Sequence, residues 1–308
     1  MWPETKPKKF IVWGHEHYSH THSYIHYGYF KAAQSLGWDV EWLKNTKENA
    51  LNLGNTDEFL FFTESIVDSF IPINSKSFYV LHNCDLKKYE SIHVKNKLII
   101  QVFTKDVYSR KIKQVKNNLF EYWQEDINTL YMPWATDILP DEINENIKNL
   151  GRENNGKVVF LGSSWGGYHG NMNELTALSN GCRNNNLELV LTTSQKINQE
   201  ESIKILQDAF ITPSIVGTWQ KEVGYIPCRI FKTISYGQLG VTNSKEAFEI
   251  INKLGVYNPN EYELIKDSLE KVNDLDLRKK AMEFVRDNHT YLNRIETLEY
   301  IFKLKQTH

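Results

Sequence analysis

Cysteine is scarce in this chain: Cys84, Cys182 and Cys228 are the only three in 308 residues, far apart and in no paired spacing. A disulfide scaffold and a cysteine-built metal site are excluded, and a reduced, intracellular setting is expected. No run approaches the ~20 apolar residues that a membrane span needs. The first nine residues, Met-Trp-Pro-Glu-Thr-Lys-Pro-Lys-Lys, carry no apolar centre of a secretory leader, so a cytoplasmic protein is expected. Excess positive charge is also missing: 36 Lys and Arg stand against 38 Asp and Glu, net −2, which leaves a nucleic-acid partner unsupported.

Several chemical signatures are absent as well. No Gly-x-Gly-x-x-Gly fingerprint follows a strand, which argues against a dinucleotide-dependent dehydrogenase. The glycine-rich turn from Gly162 lacks the Lys-Ser/Thr of a P-loop. No Gly-x-Ser-x-Gly elbow exists, which weakens a serine-hydrolase reading.

What is present is an ordinary globular composition, 41% hydrophobic and 24% charged, in a length that suits two domains of roughly 150 residues. In the first half, short apolar runs at Phe10–Trp13, Val40–Leu43, Phe59–Phe62, Phe78–Leu81 and Leu98–Phe103 read as buried strands, and Tyr24 to Leu36 reads as a helix closed by Gly37. Strands alternating with helical stretches point to an α/β layer with a parallel sheet. Ligands in such sheets sit beyond the carboxyl ends of the strands, and those ends carry His15, His17, Glu64, His82, Asp85 and Lys105. A polar Asn/Glu/Lys-rich stretch from Asp141 to Gly156 reads as a linker, placing the domain boundary near residue 150, with domains 1–150 and 151–308. A second unit opens with the strand Val158–Leu161, a Gly162-Ser163-Ser164 turn and a helix from about Met172 to Asn184. That turn fits a phosphate- or sugar-facing loop and a generic flexible turn about equally.

Tyr225 to Asn243 carries the densest pattern: a short helix with Pro227 in its first turn, Gly237 as its stop, a buried strand at Leu239–Thr242, and Asn243 with Glu246 as a capping pair for the next helix. Arg229 and Lys232 lie three apart beside the apolar Ile230/Ile234 stripe. One reading is a helix N-terminus receiving the phosphates of a nucleotide. The other is an ordinary αβα unit with two solvated cations.

Five histidines fall between residues 15 and 26: His15, His17, His20, His22 and His26. His-x-His in extended chain turns its rings to opposite sides, and no His-Glu-x-x-His motif is present. His22 and His26 are four apart and share a helix face, but no metal site is expected. A histidine here, or His82, suits general-base work, since the imidazole titrates near neutrality. Glu64 and Asp85 are the nearest carboxylates.

Four segments carry a family resemblance. Tyr131-Met-Pro-Trp-Ala-Thr-Asp137 resembles the crossover segment of GT-B glycosyltransferases. Val159-Phe-Leu-Gly-Ser163 resembles the strand that opens their donor domain. Arg229 to Asn243 is similar to the signature of the spore-maturation-type branch, and His289-Thr-Tyr-Leu-Asn-Arg294 to its closing motif. The resemblance implies two Rossmann-like domains with parallel sheets facing across a cleft, with C-terminal helices crossing back. It also implies a nucleotide-sugar donor, a carbohydrate or other hydroxyl acceptor, and no metal or other cofactor. The donor residues it implies are Gly162, Ser163, Ser164, Arg229, Lys232, Thr242 and Asn243; the acceptor-activating candidates are His17, Glu64 and His82. The chain departs from the pattern at Lys232 and Gly224, where relatives carry glutamates. A nucleotide-sugar epimerase and a non-catalytic carbohydrate- or nucleotide-binding module remain the alternatives.

Overall fold

The structure, a computed structural model, describes residues 6–15, 21–64, 68–82, 84, 86–103, 113–115, 120–192 and 197–307. The chain divides into two units, one of Met1–Val102, Val107–Met132 and Tyr291–His308, the other of Phe103–Asp106 and Pro133–Thr290.

The first unit opens with β1 (Lys9–Gly14), α1 (Thr21–Ser35), β2 (Val40–Lys44), α2 (Lys47–Asn52), β3 (Phe59–Glu64), β4 (Phe78–His82), α3 (Leu86–Ser91) and β5 (Lys97–Gln101). These are the strands that the apolar runs predict. Both faces of β1 are buried, with Phe10, Ile11, Val12 and Trp13 all at 1% exposure or less, and covering each such side chain contributes roughly 1.5–3 kcal/mol. Strands apolar on both faces are those of a covered parallel sheet. Three short strands complete it: β6 (Lys113–Gln114), β7 (Tyr122–Gln124) and β8 (Thr129–Tyr131). The strand order is β2-β1-β3-β4-β5-β8-β7-β6, with β8-β7-β6 antiparallel and the rest parallel.

The second unit follows with α4 (Pro140–Lys148), β9 (Val158–Leu161), α5 (Met172–Asn184), β10 (Leu189–Thr192), α6 (Gln199–Gln207), β11 (Pro213–Ser214), α7 (Thr218–Glu222), α8 (Cys228–Ser235), β12 (Val241–Thr242), α9 (Lys245–Ile250), β13 (Val256–Tyr257), α10 (Glu261–Leu269) and α11 (Leu275–Asn288). Its sheet has two parallel pieces, β10-β9 and β11-β12-β13, linked by a parallel bridge between Val158 and Ile211. The order is therefore 2-1-3-4-5, the doubly wound pattern whose direction reverses between its first and third strands.

The last helix, α12 (Tyr291–Thr307), belongs to the first unit, where it packs on α1. Gly28 permits the approach: a Cβ there would stand 2.2 Å from the Tyr291 ring, which itself lies 4.7 Å from that of Tyr29. Two boundaries differ from the sequence-based expectation. The division falls between Met132 and Pro133, not near 150, and 291–308 joins the first unit. The polar stretch read as a linker holds α4, whose first turn is set by Pro140 and whose Ile143 is fully buried, so one apolar face ties it into the second unit.

Candidate functional site

In the second unit the direction of the sheet reverses between β9 and β11, and Arg229 sits at that place. Its Nε donates to the carbonyl of Leu161, the last residue of β9, at 2.7 Å, and its Nη1 to the carbonyl of Ile215, just past β11, at 3.4 Å. The guanidinium lies over the Phe160 ring, 4.1 Å from its centroid, a cation–π contact. Burial lowers its pKa from the ordinary value. Among the described residues no carboxylate pairs with it, so a partly buried cation is held by neutral groups alone. Gly162 makes the approach feasible: its φ is +154°, and a Cβ there would stand 1.9 Å from Nη2 of Arg229. Gly162 and Arg229, picked out separately in the sequence, therefore meet. Ser163 and Ser164 follow in the same turn, half-buried, and the Ser163 carbonyl accepts from Nδ2 of Asn171 at 3.3 Å.

Arg229 is carried by α8, an amphipathic helix with Ile230, Phe231 and Ile234 fully buried. Pro227 is its N-cap, not a first-turn residue, because its extended backbone (ψ 140°) turns the chain into the helix one residue later than expected. Gly237 ends the helix as predicted, at φ +101°, with its N–H on Ile234 and that of Gln238 on Thr233, a Schellman closure.

Lys232 has a different environment from Arg229. Its Nζ lies 2.8 Å from Oδ2 of Asp137, which is 3% exposed and also accepts the Tyr236 hydroxyl. Burial by itself would raise the Asp137 carboxyl; the Lys232 charge overcomes this and holds it below the usual carboxylate range. The cation is thus matched within the fold.

Thr242 and Asn243 are buried beside the same strand ends. Thr242 donates to the carbonyl of Ser214 at 2.9 Å. Asn243 grips the backbone of Val216 on both sides, accepting from its N–H at 3.0 Å and donating to its carbonyl at 2.9 Å, and reaches Glu261 at 2.7 Å. It fixes the turn that presents the Ile215 carbonyl to Arg229. With its amide so engaged, Asn243 does not cap α9; Ser244 does, accepting from the N–H of Ala247 at 3.1 Å.

The first unit has its own reversal, between β1 and β3, and polar groups gather there. Glu64, the last residue of β3, is 2% exposed. Its Oε1 lies 2.8 Å from Nδ1 of His22, in the first turn of α1, and its Oε2 lies 3.3 Å from Nε2 of His15, which follows β1. His82, the last residue of β4, is buried with its ring 4.6 Å from that of His22. One ligand atom from each of His22, Glu64 and His82 lies within 4.8 Å of the others. The fold does not pair His22 with His26, although they share a helix: the His26 ring turns to Phe62, at 5.0 Å. His17, His20, Asp85 and Lys105 lie outside the described residues. The sequence marks His15 at a strand end and His22 beside His26, but not their meeting with Glu64, which arrives from a strand more than forty residues on.

No family model matches the chain, and no curated protein matches it. Solved structures do resemble it. An alpha-glucosyltransferase (AGT) in complex with UDP superimposes with a TM-score of 0.61 at 9% identity, over 96% of this chain and 100% of that one. A glycosyltransferase from Rickettsia africae ESF-5 gives 0.53 at 12% identity, over 98% of each chain. TarM from S. aureus, solved with fondaparinux, alpha-GlcNAc-glycerol and UDP, gives 0.49 at 12% identity over 91% of this chain; the chain spans 59% of its length. The shared architecture is the GT-B fold, two α/β units each built on a mostly parallel sheet. Among the described residues no helix is long and apolar enough to cross a membrane.

Proposed function

We propose that the protein is a glycosyltransferase that moves a sugar from a nucleotide-sugar donor to an acceptor hydroxyl, within the spore-maturation-type branch that its 229–243 and 289–294 segments resemble. The observation that carries the reading is Arg229: a partly buried cation without a carboxylate, anchored where the second unit's sheet changes direction. Open α/β sheets bind ligands at that place, and an anion arriving there gains a charge-assisted partner.

In this reading the donor's diphosphate is bound by Arg229 with the free N–H groups at the start of α8. Gly162, Ser163 and Ser164 line the approach, while Thr242 and Asn243 hold the supporting backbone. As the sugar–phosphate bond breaks, negative charge grows on the leaving diphosphate, and a preorganised guanidinium lowers the cost of that charge. Lys232, with its charge met by Asp137, acts by fixing α8 rather than by touching phosphate. The donor needs no metal or other cofactor in this scheme. The first unit handles the acceptor: a group at its strand ends, with His17 or Glu64 ahead of His82, activates or orients the hydroxyl. A cytoplasmic location accords with three cysteines that lie far apart in the sequence. The UDP in the AGT structure makes UDP-sugars the first donors to try.

The test is a thermal-shift screen of UDP-, GDP-, ADP- and dTDP-sugars, since a ligand selective for the folded state raises its stability. Transfer assays with the responding donor then follow. One nucleotide-sugar should raise the melting temperature in the wild type and much less in Arg229→Ala. Equal shifts in the two proteins, or wild-type transfer by the variant, would remove the basis of the proposal.

A further inference from the structure

We propose that His22, Glu64 and His82 form a binding site for one divalent transition cation of the zinc class. Three separate backbone segments bring the ligands together: the first turn of α1, the end of β3 and the end of β4. The ligand atoms all lie within 4.8 Å of one another, the closest pair, His22 Nδ1 and Glu64 Oε1, at 2.8 Å. Donors around a tetrahedral zinc ion stand about 3.3 Å apart, as follows from bonds of about 2.0–2.1 Å, so small side-chain adjustments suffice.

The chemistry of the donor set is selective. Two imidazoles with one carboxylate suit zinc and its neighbours, whereas magnesium and calcium take oxygen ligands. Three protein ligands also leave a coordination position for a water or hydroxyl oxygen, the arrangement of catalytic rather than structural zinc sites. The surroundings favour a fixed site. Glu64 and His82 are 2% and 1% exposed, so the protein holds both against rearrangement. His15 Nε2 stands 3.3 Å from the other Glu64 oxygen, outside the ligand set. The Phe62 and His26 rings pack behind, supplying a partly apolar wall. The position is the first unit's own strand-order reversal, where α/β sheets take ligands. This inference does not depend on sugar transfer; with the ion bound, Glu64 and His82 act as its ligands and His17 is left as the acceptor-activating candidate.

The experiment uses the full chain without a histidine tag, stripped with a chelator and titrated with Zn²⁺ by calorimetry and with Co²⁺ by visible absorption. One ion per chain is expected, with the intense visible bands of nitrogen-ligated, low-coordinate cobalt. His22→Ala and His82→Ala should each weaken binding by more than the about 10–100-fold that loss of an outer-shell partner costs. His169→Ala, in the second unit, should bind as the wild type does. A wild type that takes up no ion, or affinities unchanged in both variants, overturns the proposal. If the variants fail to fold, the wild-type cobalt spectrum decides: the weak bands of the hydrated ion alone count against the site.

Discussion

Gly162 and Arg229 occupy space that a single additional methyl group would close, since a Cβ on Gly162 would stand 1.9 Å from Nη2 of Arg229. Gly162→Ala should therefore impair the same step as Arg229→Ala. Both are expected to reduce transfer by about 10²–10³-fold, the usual loss when one donor to transition-state charge is removed. Arg229→Lys should recover little, because an ammonium cannot reach the Leu161 carbonyl and an anion with one fork. Steady-state kinetics on the responding donor would check this; a fully active Gly162→Ala would show that the guanidinium need not stay where it is.

Asp137 and Lys232 make a testable electrostatic pair. Removing the carboxylate in Asp137→Asn leaves a mostly buried ammonium, and the expected cost is about 3–5 kcal/mol at neutral pH. The folded carboxyl titrates below its unfolded value, so the pair's contribution is complete above about pH 4 and is lost as pH falls through the folded pKa. Denaturant melts of wild type and Asp137→Asn should converge in acid. A gap that stays constant below pH 4 would assign the loss to packing.

Arg294 and Glu121 form an ion pair at 3.0 Å with exposures of 0% and 2%, and Thr297 donates to the other Glu121 oxygen at 2.7 Å. Arg294→Met should destabilise the first unit by about 3–5 kcal/mol through the stranded carboxylate. The double change with Glu121→Leu should regain much of that loss. Chemical denaturation of the three variants measures the coupling.

Lys305 is half-buried, and its Nζ donates to the carbonyl of Lys97. Burial, reinforced by Lys97 and Lys95, lowers its pKa to about 8. Between that value and the unfolded one near 10.4 the unfolded chain binds more protons, so stability should rise with pH across this window. Lys305→Met should abolish the rise; melts from pH 7 to 10.5 would show it.

Much of the fold is legible from side chains alone. The apolar runs at 10–13, 59–62 and 78–81 name three central strands, because strands buried on both faces leave no ambiguity of face. Gly37 and Gly237 stop their helices as read, each at positive φ. The hairpin of β7 and β8 is not legible: its strands are three residues long and its turn rests on Asn128 at φ +50°. The linker reading of 141–156 failed because polar composition hid one buried face of α4.

The site was legible only in part. Arg229 and Gly162 were visible as residue types, but their meeting depends on backbone carbonyls at two strand ends, which no side-chain pattern announces. Lys232 looked equivalent to Arg229 by spacing, and the fold separates them by giving one a carboxylate. In the first unit the histidine-rich segment was conspicuous, yet the spacing pointed to His22 with His26. Glu64, distant in sequence, determines which rings gather.

Because α12 completes the first unit, the strands of that unit are synthesised well before the helix that walls their own core. Phe78 waits for Phe302, its ring neighbour at 5.3 Å, and Glu121 waits for Arg294. The later-made second unit has all its elements before then. The sequence thus separates the first unit's closing helix from its sheet by nearly the whole of the second unit.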